Sequence, residues 1–154
     1  MSGAADIDTA DWHPRLVELY RYWRSIHPAH GLPGRQHLDP AAIPHLLSTI
    51  WMLDVRREPL RFRYRLVGTR IRERAGRELT GLWLDEAHPT TWQNPQAAAR
   101  LEALVRTGIP SRRRGKPTLF YAHRDWREVE NLMLPLATDG KTIDVILVIT
   151  VFHE

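Results

Sequence analysis

The sequence predicts an α+β domain, a five-stranded antiparallel sheet with helices over one face and an amphipathic helix at the N-terminus. Three observations predict it. β-type runs stand at both ends of the chain, two between residues 49 and 67 and three after residue 117, with helical patterning between them. The most apolar run, 143–152, comes last. A strand so apolar belongs at the centre of a sheet, which it reaches only by pairing beside the first strand. Finally, Leu16, Leu19, Tyr20, Trp23 and Ile26 recur at intervals of three and four, a helical stripe that must find apolar surface on the sheet's other face or on a partner.

In chain order, residues 1–11 are small, polar and acidic and read as a flexible tail. Pro14 suits the first turn of a helix that must stop before Pro28. Residues 27–37, with two glycines and two prolines, read as a loop, so 12–37 form an N-terminal helix and loop ahead of a domain at 38–154. Asp39-Pro40 caps a short helix, with Ile43, Leu46 and Leu47 facing inward. Residues 49–55 form a strand covered on both faces, and Arg57-Glu58-Pro59 a turn. In 61–67 Phe62, Tyr64 and Leu66 alternate with Arg61, Arg63 and Arg65, the pattern of a half-buried edge strand. Thr69 opens a short helix that ends at Gly76. Asn94-Pro95 opens a longer one, with Leu101, Leu104 and Val105 on one face, closed by Gly108 and Pro110. Strands are expected at 118–123 and 130–136, with Pro135 marking a bulge or strand end. Asp139-Gly140 is the turn into the last strand.

The 154 residues suit a single domain. With no cysteine, a disulfide framework, zinc–thiolate sites, a thiol nucleophile and a cysteinyl–flavin adduct are all excluded, and a reducing cytoplasm is the expected compartment. No apolar run approaches the roughly 18 residues of a membrane span, and no signal-peptide pattern opens the chain. A net charge of +4 from 22 basic and 18 acidic residues is weak for a nucleic-acid binder, so nucleic acid is disfavoured as a partner.

Four stretches carry a family resemblance. Gly76-Arg77-Glu78-Leu79-Thr80-Gly81 resembles the G-x-E-x-x-G punctuation after the first short helix of many PAS domains. Together with FRYRLVGT at 62–69, Leu38-Asp39-Pro40 and LPLATDG at 134–140, it is similar to a family of small stand-alone bacterial PAS-like proteins. The resemblance implies a sensory or regulatory module that binds a small ligand between sheet and helices. It also implies a homodimer through the N-terminal helix and outer sheet face. The family carries no catalytic residues to transfer. No output domain is expected here, so a regulatory protein partner would read the signal.

On that frame Tyr64, Trp83, His88, Trp92, Phe120 and Tyr121 are the candidate ligand-binding residues, the alternative being that they fill the core. His88 and His123 flank the same space, yet a capping or loop role is favoured for His88, and neither haem nor a non-covalent flavin is expected. His27, His30 and His37 lie in a Gly/Pro loop and read as surface residues, leaving no metal site. Trp12, Tyr20 and Trp23 are candidates for a partner interface, against packing within the chain. No phosphate loop, G-x-G-x-x-G or G-x-S-x-G is present. Two rival functions remain. One is a small enzyme using the sheet–helix cavity, for which Asp54 and His88 are the candidate acid or base. The other is a nucleic-acid or nucleotide binder through Arg112-Arg113-Arg114 and Lys116, expected in a loop.

Overall fold

The computed structural model describes residues 7–89, 95–117 and 128–153. Helix α1 (Pro14–Ser25) begins at Pro14, with the His13 ring nitrogen Nδ1 accepting from the Arg15 N–H. After three short 3₁₀ segments come strand β1 (Ile50–Arg56) and strand β2 (Arg61–Val67). The helical middle holds α2 (Thr69–Ala75), α3 (Leu84–Ala87) and α4 (Pro95–Thr107). Strands β3 (Ser111–Gly115), β4 (Glu128–Leu136) and β5 (Val145–His153) complete the sheet. Its order is β2-β1-β5-β4-β3, with every neighbouring pair antiparallel. The expected juxtaposition is therefore present: the apolar last strand is central and runs against β1, Ile50 opposite Ile149 and Asp54 opposite Val145.

Alternation along the strands divides the buried residues into two layers. On the inner face Trp51, Leu53, Tyr64, Met133, Ile146 and Val148 pack against Ile71, Leu79, Leu84, Leu101 and Leu104 of the helical middle. On the outer face Leu132, Leu134, Leu147 and Ile149 meet Leu16, Leu19, Tyr20 and Trp23 of α1. The amphipathic helix thus covers the sheet of its own chain.

Leu47 does not face inward with Ile43 and Leu46 but stays 37% exposed, and three further local expectations need correction. Leu66 does not face inward with Phe62 and Tyr64. The β1–β2 register shifts between Met52 and Leu53, placing Leu66 opposite Met52 and Tyr64 opposite Leu53. One extra residue, Arg65, reverses the parity of the strand beyond it, so Leu66 stays 41% exposed. Secondly, Arg112-Arg113-Arg114 is not in a loop: it forms the middle of edge strand β3, paired with Leu132, Asn131 and Glu130. Thirdly, residues 7–11 are not all loose tail, because Ile7 packs against the outer core and the Trp12 N–H bonds the Thr9 carbonyl. The strand expected at 118–123 lies outside the described residues.

Gly68, in the FRYRLVGT stretch, closes the inner corner. A Cβ there would stand 2.5 Å from the carbonyl oxygens of Leu47 and Ser48 and 2.7 Å from that of Ile50. Its own N–H already bonds the Ile50 carbonyl. All three obstacles are backbone, which cannot swing aside. Gly68→Ala should therefore cost about 1–3 kcal/mol, read as a lower urea midpoint. An unchanged midpoint would show that this corner is loosely packed.

Candidate ligand site on the inner sheet face

The inner face of the sheet carries more polar chemistry than a plain core. Tyr64 is buried on β2, and its hydroxyl shares a 2.8 Å hydrogen bond with Nε2 of His88, the residue just after α3. The rings meet edge to face at 5.8 Å. Beside them Trp51 lies 5.7 Å from the Tyr64 ring and donates its indole N–H to Thr150 Oγ1 at 3.0 Å. Asn131 of β4 is the register neighbour of Thr150 on one side and of Arg113 on the other, so the three share this face. Two buried polar atoms in this layer, His88 Nδ1 and Asn131 Oδ1, have no hydrogen-bond partner among the described residues. Buried polar atoms are rarely left so, because desolvation without a bond costs roughly 1–3 kcal/mol each.

Burial, aided by the nearby Arg77 charge, pushes the His88 imidazole down to about 4. The native ring is therefore neutral at pH 7. An unfolded chain gains the proton near the ordinary value of 6.5, so this group's stabilisation falls as pH drops from 6.5 towards 4. The slope reaches at most about 1.4 kcal/mol per pH unit. Urea midpoints between pH 7 and 4 should fall more steeply for the parent than for His88→Asn. Parallel profiles would mean that His88 titrates normally in the fold.

The structure brings together only part of the expected set. Tyr64 and His88 are in direct contact. Trp83 is not with them: it bridges to Arg63 on the outer edge of β2, and its half-buried ring lies 4.1 Å under the Arg61 guanidinium. Arg61 in turn forms a two-bond pair with Asp85 at 2.9 and 2.8 Å. Trp92, Phe120, Tyr121 and His123 lie outside the described residues. Sequence reading missed Trp51, Thr150 and Asn131. Asn131, a polar residue two positions from the inward-facing Met133, was the available signal.

Of the rings considered for a partner, Tyr20 and Trp23 are covered by the chain's own sheet, Trp23 donating to the Pro135 carbonyl at 3.0 Å. Trp12 packs edge-on against Tyr20 and keeps an accessible side. In the 27–37 loop, His27 bonds the Trp23 carbonyl and His37 accepts from the Gly34 N–H. Among the described residues no group of three or more His, Asp or Glu could hold a metal ion, and no helix is long and apolar enough to cross a membrane. Asp54 and His88, the two candidates for an acid or base, do not share one site. Asp54 lies on the outer face, paired with Arg65 at 2.8 Å and Arg63 at 3.5 Å, while His88 is under the inner one, bonded to Tyr64.

The arginine run is largely neutralised on the outer side. Arg114 pairs with Glu128 at 2.8 Å, and Arg112 with Glu130 at 3.1 Å. Glu130, its side chain 1% exposed, also accepts from the His13 N–H at 2.8 Å and contacts His153 Nε2 at 3.0 Å. Burial pushes its pKa up, but the His13 N–H, His153 and Arg112 together outweigh that and hold the carboxyl below its ordinary range. Glu130 thereby joins the start of α1, the β3 edge and the end of β5.

Compared with models of known families, residues 12–150 match the model described as a PAS domain. No curated protein matches the chain.

Proposed function

The chain belongs to the PAS domain family, and from that premise we propose that it binds a small molecule between the inner sheet face and the helices and relays the bound state to a partner protein. Domains of this family are in general sensory and regulatory modules rather than enzymes. The observation that carries the finer reading is the inner-face polar layer: Tyr64 with His88, Trp51 with Thr150, and the unbonded His88 Nδ1 and Asn131 Oδ1. A ligand supplying a donor to Asn131 and a partner to His88 would satisfy both atoms. Its route outward is short, because alternate residues of β4 face the two layers. Asn131 and Met133 look inward, while Leu132 and Leu134 touch the α1 core. A ligand shifts the packing of α1 only if it binds one packing more tightly than the other.

Native mass spectrometry and an absorption spectrum of freshly purified protein test this. The expected result is a retained non-peptide mass in the parent that falls in the Tyr64→Phe, Asn131→Leu double variant, with the subunit count read in the same spectrum. A parent that carries nothing, and that no member of a metabolite library stabilises against heat, would overturn it.

A further inference from the structure

Among the described residues, the two sides of β3 treat their cations in opposite ways. On the outer side Arg112 and Arg114 each have a carboxylate, Glu130 and Glu128. On the inner side Arg113 and Arg100 have none among the described residues. Arg100 reaches from α4 to the start of β3, donating Nε–H to Ser111 Oγ and Nη2–H to the Ser111 carbonyl, both at 2.8 Å. Arg113 donates Nη2–H to the Lys116 carbonyl at 2.7 Å, and its Nη1 is buried with no partner among those residues. Ser111 and Arg113 are two residues apart on one strand face, so both guanidiniums serve the same side of β3, Arg100 at its start and Arg113 reaching on past Gly115. Asn131, 7% exposed and opposite Arg113 in the register, adds its unbonded Oδ1.

Burial first, and the Arg113 charge second, push the Arg100 guanidinium down to about 10. Both causes disfavour its charge, and an anion placed between the two groups would relieve both. Neutral backbone carbonyls satisfy single N–H groups but leave the charge uncompensated. Planar guanidinium forks match the oxygens of carboxylate and phosphate.

Building on the ligand-binding reading above, we infer that the ligand carries an anionic group, a carboxylate or a phosphate, held between Arg100 and Arg113, with a neighbouring hydroxyl or amine that donates to Asn131. The inner-face arginine is thus a ligand contact, whereas its two neighbours in the run are structural.

The test titrates the full chain with citrate, malate, inorganic phosphate and adenosine monophosphate at constant ionic strength, reading thermal midpoint and binding heat. Saturable binding of a carboxylate or of a phosphate is expected, the two arms telling the sources apart. Arg100→Gln and Arg113→Gln should each weaken it at least about tenfold, as loss of a charge-assisted bond does. Arg114→Gln should leave it unchanged. The Arg113→Gln protein should also lose its response to anions while keeping or raising its own midpoint, because a like-charge contact is gone. Anion binding that survives both inner substitutions, or no saturable binding by any of the four, overturns the inference. A neutral molecule retained in native mass spectrometry and indifferent to Arg100→Gln and Arg113→Gln would do the same while leaving the ligand-binding reading intact.

Discussion

Replacing Glu130 by alanine should lower the stability of the fold by about 3–5 kcal/mol, the range seen when one partner of a buried charge cluster is removed. Its carboxylate satisfies the His13 N–H, Arg112 and His153 together. Without it the Arg112 guanidinium, with 19% side-chain exposure, keeps among the described residues only Asp11, whose own side chain is 79% exposed. The start of α1 loses its tie to the sheet at the same stroke. Glu130→Gln keeps the size and one acceptor, so its loss should be smaller at pH 7. The pH profile separates charge from shape. A carboxyl held below its ordinary 4.5 contributes stability above that value and loses it as pH falls through the lower native one. The parent should therefore lose its advantage over Glu130→Gln as pH falls through that range, in urea unfolding followed by tryptophan fluorescence. A constant gap down to pH 3 would show that the carboxylate's charge contributes nothing.

What the sequence disclosed and what it hid divide along one physical line. Central β5 was legible because an unbroken apolar run leaves no face for water, and its pairing with β1 came from that demand. The α1 stripe was legible because five apolar residues recur at helical spacing on one face. Alternation failed at Leu66, since parity survives only while the ladder is unbroken, and nothing in RFRYRLV marks Arg65 as the extra residue. Edge strand β3 failed for another reason. Arginine has little intrinsic preference for strand, and what holds Arg112 and Arg114 there is a pair of carboxylates on β4, distant in sequence. The inner-face site was half visible. Tyr64 is legible from alternation and His88 from its position before α4, whereas Trp51 and Thr150 sit inside strands that read as apolar. Arg100 is on a helix whose polar residues would ordinarily face water.

Trp23→Ala should rank with Glu130→Ala, again costing about 3–5 kcal/mol, the range for truncating a buried large aromatic. The ring is 4% exposed, stacks on Tyr20 with centroids 6.0 Å apart, and meets His27 edge-on at 4.4 Å. Its indole N–H also ends on the Pro135 carbonyl, in the strand that carries Asn131 on the opposite face. Two substitutions separate the contributions. Trp23→Phe keeps most of the apolar area and drops the bond, so it should lose about 1–2 kcal/mol more than the area change alone. Trp23→Ala loses both and leaves a void under α1. If α1 is the element that reads the inner face, ligand binding and α1 docking must be coupled, and the coupling runs in both directions. Trp23→Phe should then shift ligand affinity without touching any inner-face residue, measured by the same thermal titration on a folded protein. An affinity identical to that of the parent would place the relay elsewhere than through α1.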